Sequence, residues 1–225
     1  MKKAFITLAL TTSMGVSLAQ ASDEWAVGTS ASTLGLGLEI TKPINNQFNM
    51  RFGINKYADT LSREIDQVNY DANISLQTVA FNTDWHPFTG GFTNGLRLTG
   101  GFMINNNEIT GTAAPADNLT FTIGDTDYSY LADVNVNSKI GFKKIAPYLG
   151  FGYDKVSKHN RGLSLTADFG VLFQGTPEID TPTVSGADSN LIQQADLDRE
   201  VLKIEEDLED FKIWPVISIG LNYQF

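Results

Sequence analysis

Six polar side chains stand inside segments that otherwise alternate apolar and small residues: Glu39, Arg51, Asp84, Arg97, Tyr148 and Asp168. Guanidinium groups and carboxylates in such a setting have two uses. They can neutralise one another as a plug of ion pairs, or exchange partners and so let a small zwitterion or cation past. An isolated charge in a low-dielectric interior is very costly, so both readings require pairing. Hairpin geometry suggests the pairs. Setting Ile40 against Met50 puts Glu39 opposite Arg51; setting Trp85 against Leu96 puts Asp84 opposite Arg97; setting Leu149 against Ala167 puts Tyr148 opposite Asp168. Opposite charges facing each other across two strands are stabilising.

Other chemistry is sparse. The chain has two histidines, His86 and His159, both in expected short turns, and no serine accompanies either in a recognisable motif. No catalytic residue is assigned, and an enzyme is not expected. Asp125-Thr126-Asp127 lacks the acidic spacing and glycine of a calcium loop, and no helix follows Gly35 and Gly37 to make a nucleotide motif. No metal and no cofactor are expected. The formal charge is −10, which disfavours nucleic acid as a partner. There is no cysteine, so no disulfide supports the fold.

The elements that carry the six residues read at period two. Apolar residues recur at every second position in Leu34–Ile40, Phe48–Ile54, Leu96–Ile104, Ile145–Tyr153, Leu163–Phe173 and Ile217–Phe225, while the opposite parity is rich in Gly, Asn, Thr and charge. Residues 25–30 form a further short strand. Residues 70–85 form another, in which the outward set changes from Ile74 and Leu76 to Val79, Phe81 and Trp85, predicting a bulge. Eight strands result. A water-soluble barrel would carry dense Lys and Glu outside, not this aliphatic parity, so the aliphatic face is expected to meet lipid. The fold class is therefore all-β: an eight-stranded antiparallel transmembrane up-and-down β-barrel with a helical extracellular loop.

Ahead of it, Lys2 and Lys3, an apolar stretch and Ala19-Gln20-Ala21 make a signal peptide over residues 1–21, cleaved after Ala21, with the barrel over 22–225. Loss of the two lysines takes the formal charge from −10 to −12. Connections at 42–47, 87–95 and 156–161 are short, those at 106–133 and 176–210 long, and that at 58–69 intermediate. Alternation of short and long connections fits periplasmic turns and extracellular loops. Trp85, Phe88, Phe92, Tyr223 and Phe225 fall at one end of the segments, and Tyr57, Tyr70, Phe173, Phe211 and Trp214 at the other, as interfacial girdles do. In 176–210, acids far outnumber the two bases Arg199 and Lys203. Leu197, Val201, Ile204, Leu208 and Phe211 recur at helical spacing, predicting an amphipathic helix docked on the barrel rim.

The stretches IAPYLGFGY (145–153), DFGVLFQGTPEI (168–179) and WPVISIGLNYQF (214–225) resemble small proteobacterial outer-membrane barrels, and most of all the CarO-type channel. That resemblance implies a bacterial outer-membrane location and a link to uptake of ornithine and basic amino acids and to carbapenem susceptibility. It also implies that Ile217, Ile219, Leu221, Tyr223 and the terminal Phe225 form the signal read by the barrel-assembly machinery. The expected surroundings are outer-membrane lipid, and eight strands that close on themselves are expected to be a monomer. Two roles fit these observations: a narrow channel for small solutes such as cationic or zwitterionic amino acids, and a non-transporting surface barrel serving structure, adhesion or resistance through its long loops.

Overall fold

The computed structural model describes residues 25–65, 68–88, 90–115, 120–129, 134–156, 161–208 and 211–225. The expected signal peptide and His159 lie outside them. Eight strands form a closed barrel: β1 (Ala26–Ser32), β2 (Gly35–Pro43), β3 (Phe48–Ile65), β4 (Val68–Trp85), β5 (Leu96–Asn105), β10 (Ile145–Tyr153), β11 (Gly162–Leu172) and β13 (Trp214–Gln224). Each pairs antiparallel with its neighbour in the chain, and β1 with β13 closes the ring. No helix among the described residues is long and apolar enough to cross a membrane.

The period-two reading holds around the wall. Leu38, Met50, Leu98, Leu149, Leu165 and Ile219 face outward, each at least 49% exposed, while the alternate residues are buried or half-buried. Side chains on successive strand positions point to opposite faces, so this alternation separates a lipid face from a lumen. Trp85, Phe88, Tyr223 and Phe225 are exposed at the short-turn end, and Tyr57, Phe173 and Phe211 at the other.

Short turns have local causes. In the β2–β3 connection, Asn45 Oδ1 accepts from the backbone N–H of Gln47 at 2.8 Å and of Phe48 at 2.9 Å, a side-chain turn that needs no glycine. The β1–β2 connection is Thr33-Leu34. Gly35 follows with φ +102°, and a Cβ there would meet Lys56 O at 2.3 Å, so glycine alone fits. This tight turn swings Leu34 into the lumen, where it is 1% exposed, although parity had placed it on the lipid face.

Above the barrel, the wall continues on one side only. β3 and β4 are 18 residues each and stay paired from Phe48↔Trp85 to Ile65↔Val68 without a register shift. The expected bulge is absent. Leu76 is buried on the same face as Thr78 and Ala80. The apparent change of parity arises because the strand leaves the lipid there and its inner face becomes the apolar one. β6 (Glu108–Pro115), β9 (Asn135–Gly141) and β12 (Glu178–Ser185) join the upper parts of β3 and β4 in the order β12-β9-β6-β4-β3, forming a five-stranded wing. Most of residues 58–69, expected as a loop, is thus strand.

The wing's inner face carries a second small core. Ile123, Tyr128, Val134, Ile192 and Leu197 are buried together, with Val136 and Val184 against them. They come from a hairpin, β7 (Phe121–Ile123) and β8 (Thr126–Tyr128), from the wing, and from the helix α1 (Gln194–Asp207). The expected helix therefore forms in the acidic loop, but it packs on β7 and β12 rather than on the barrel rim. Polar contacts hold it there. Tyr128 Oη donates to Asp196 Oδ2 at 2.6 Å, the Gly124 N–H donates to Glu200 Oε2 at 2.9 Å, and Lys203 Nζ lies 2.8 Å from Asp125 Oδ1. The Tyr128 hydroxyl, assisted by Arg199, holds the Asp196 carboxyl below its ordinary value. Lys203 lowers Asp125 in the same way.

Candidate functional site: the lumen

Inward positions on β2, β3, β4, β5 and β11 project Glu39, Arg51, Asp84, Arg97 and Asp168 to one level of the lumen. Arg97 is 2% exposed. Its Nη1 is 2.8 Å from Asp84 Oδ1, its Nη2 is 2.8 Å from Asp168 Oδ1, and its Nε is 2.7 Å from Asp154 Oδ2. Arg97 Nη2 also donates to Thr166 Oγ1 at 3.1 Å. Arg51 reaches Asp168 Oδ2 at 3.1 Å, Asp84 Oδ1 at 3.2 Å and Glu39 Oε2 at 3.4 Å. Thr99 Oγ1 donates to Asp84 Oδ1 at 2.6 Å. Planar guanidinium forks suit this shared arrangement because each offers several donors in fixed directions.

The pairings arise from registers other than those expected from sequence. Glu39 lies opposite Gly53, and Arg51 opposite Thr41. Asp84 lies opposite Thr99, and Arg97 opposite Gly152. Tyr148 lies opposite Leu172, and Asp168 opposite Gly152. The first two registers differ from expectation by two residues and the third by four, which preserves which face each residue occupies. The charged groups still meet because arginine is long and the interior of an eight-stranded barrel is narrow. Glycine makes room: a Cβ at Gly152 would lie 3.0 Å from Asp168 Oδ1 and 3.3 Å from Arg97 Nε.

Two members of the cluster escaped the sequence reading. Asp154 is 2% exposed and His86 6%, with His86 Nε2 at 3.4 Å from Asp154 Oδ1. Extending the inward parity one step past Gly152, and one step past Asp84, identifies both. With them the cluster holds four carboxylates against two guanidinium groups.

Tyr148 belongs to a different layer. It is buried with Leu34, Ala80, Met103, Ala146, Leu172 and Val216, and Trp214 packs on them. These residues form an apolar cap on the wing side of the ion cluster. The Tyr148 ring lies over inward glycines of its own strand and of β11, since a Cβ at Gly150 or Gly170 would fall 2.6 or 2.5 Å from Tyr148 Oη. Between cap and ion cluster is a cavity of about 50 Å³, bordered by Ser30, Glu39, Arg51, Asn82, Tyr148 and Asp168 among others.

A closed eight-stranded meander, aliphatic outside and ion-paired within, is an outer-membrane β-barrel. Solved structures agree. The chain is similar to CarO of Acinetobacter baumannii, with a TM-score of 0.58 and 21% identity over 90% of this chain and 98% of that one. It is similar also to CarO2 of Acinetobacter baumannii, with a TM-score of 0.60 and 20% identity over 90% of this chain and 99% of that one. The chain has the CarO-type barrel fold. No protein-family model and no curated protein matches the sequence.

Proposed function

We propose that the protein is a surface-acting outer-membrane barrel whose lumen is closed at rest, and that its working part is the wing with its docked helix. One observation carries this reading: Arg51 and Arg97 are buried and shared among four carboxylates beneath an apolar cap. Such a network is costly to open, because separating a buried pair strands a charge. The test is planar-bilayer conductance together with liposome uptake of ornithine and glycine by the refolded protein. Conductance or uptake by the wild type refutes the closed lumen; neither supports it.

A second reading, a gated path for small cations, has one observation in its favour. Four carboxylates face two guanidinium groups, so a positively charged solute would find spare acceptors at the constriction. Replacing both Arg51 and Arg97 with neutral residues separates the two. A gate predicts raised cation flux in a folded protein; a plug predicts lowered stability without flux. In either case Ile217, Ile219, Leu221, Tyr223 and Phe225, all outward and 43–68% exposed, serve as the assembly signal. Phe225→Ser is expected to slow insertion while leaving the lumen unchanged.

A further inference from the structure

The strand registers draw a line across the outer surface at the root of the wing. Ile54, Val79, Ile104 and Ile145 stand in one row on four adjacent strands, each the register partner of the next. One outward step toward the wing lies a second row: Lys56, Gln77, Asn106 and Lys143, all exposed. Lys56 pairs with Gln77, and the Asn106 N–H donates to Gln77 O at 2.9 Å. The Asn105 N–H donates to Lys144 O at 2.7 Å, which sets Asn106 beside Lys143. The change from four β-branched hydrocarbons to four polar groups within one outward step marks where acyl chains end and headgroups begin.

The polar row ends in exposed apolar residues on both sides: Leu36, the register partner of Lys56 on β2, at one end, and Phe173 and Ile213, beyond β10, at the other. The row is also basic in a chain of formal charge −10. Elsewhere Lys139 is paired with Glu108 and Lys203 with Asp125, whereas Lys56 and Lys143 have no carboxylate within 4.0 Å among the described residues. Lys143 is held in place by a glycine. Its methylene stem lies over Gly175, where a Cβ would fall 2.7 Å from Lys143 Cδ. The two lysines are three strand spacings apart, about 14 Å, and long stems let their ammonium groups reach along the interface.

We propose that the row Lys56–Gln77–Asn106–Lys143 seats the phosphorylated headgroup of an outer-leaflet lipid, with its acyl chains on the isoleucine row beneath. The proposal rests on the outer-membrane reading of the barrel. The ammonium groups meet phosphate oxygens, and the two amides donate to ester or sugar oxygens between them. Charge-assisted contacts of this kind are stronger than neutral ones. The lipid then binds to one flank of the barrel rather than around it.

The test uses the full chain refolded in detergent and native mass spectrometry. One arm offers bisphosphorylated lipid A, a second the same lipid with its phosphates removed, and a third inorganic phosphate. Wild type is expected to retain the phosphorylated lipid about tenfold better than the dephosphorylated one. The double variant Lys56→Gln/Lys143→Gln is expected to lose that preference, and Lys139→Gln to keep it. Inorganic phosphate is expected neither to bind nor to compete. Equal retention of both lipids, an unchanged double variant, an equal loss in Lys139→Gln, or competition by inorganic phosphate overturns the proposal. Strand content by circular dichroism and insertion into vesicles are measured on the same samples, so failure to form a membrane barrel is recognised separately from failure to bind lipid.

Discussion

Replacing Arg97 with methionine tests the lumen most directly. The side chain is fully buried, and its three nitrogens lie 2.7–2.8 Å from Asp84, Asp154 and Asp168. Methionine fills much of the stem volume but leaves the three carboxylates facing one another, with only Arg51 to offset them and Glu39. Removing one partner of a buried pair costs about 3–5 kcal/mol, and three uncompensated acceptors put this site at the upper end. Arg97→Lys keeps the charge but not the planar fork, so its cost is expected to be smaller yet well above zero. The assay is equilibrium urea unfolding in phospholipid vesicles followed by tryptophan fluorescence. Asp168→Asn provides the control. In the wild type it deprives both arginines of a shared partner. In Arg97→Met it removes an unmatched carboxylate, so it is expected to cost about 1–3 kcal/mol less there. If Arg97→Met costs under about 1 kcal/mol and Asp168→Asn costs the same in both backgrounds, the ion cluster is not a buried, coupled unit and the reasoning fails.

Leu165 is 72% exposed to the surroundings, and Leu165→Arg is expected to destabilise the inserted barrel by about 2–4 kcal/mol, whereas a protein bathed in water would hardly register it. Gly170→Val places a branched side chain where a Cβ already lies 2.5 Å from Tyr148 Oη; overpacking of this kind is expected to cost about 1–3 kcal/mol in the same unfolding assay. The docking of α1 is expected to depend on pH. Because Tyr128 and Arg199 hold Asp196 below its ordinary value, the contribution is complete above about pH 4, where an unfolded aspartate titrates, and is lost as pH falls through the lowered native value. Amide hydrogen exchange in α1 should rise only on strong acidification, and Tyr128→Phe should move that rise to higher pH; unchanged protection down to pH 2 counts against the lock.

The wall of the barrel was readable from the chain because lipid and lumen demand opposite chemistry at alternate positions, and six segments obey that demand cleanly. Register was not. Hydrophobic alternation repeats every two residues, so it cannot distinguish Ile40↔Met50 from the observed Ile40↔Phe52. The ion cluster survived that error because a slip of two residues keeps every side chain on its face. The wing was hidden for a different reason. Its outer face carries Thr60, Asn73, Thr112 and Asn137, which bond in pairs at 2.8 Å, and such residues read as loop when the strand partner is unknown. The isoleucines that would have revealed an inner face, Ile74, Ile109, Ile140 and Ile179, stand in one row across β4, β6, β9 and β12 but lie far apart in the chain. Leu34 was misplaced because a turn, rather than strand parity, decides its direction. Asp154 and His86 lie just beyond the last aromatic of their strands, where alternation seemed to have ended.

The seam between β1 and β13 has a consequence for biogenesis. Ala26 pairs with Gln224, so the ring can close only after β13 has been made, 198 residues after β1 begins. Until then both seam strands offer unpaired amides and carbonyls, and their aliphatic parity has no lipid to meet. Contacts so distant along the chain form slowly, and open edges of this kind invite aggregation. Until the seam closes, its greasy alternation is expected to need masking from water by a device that recognises no particular sequence.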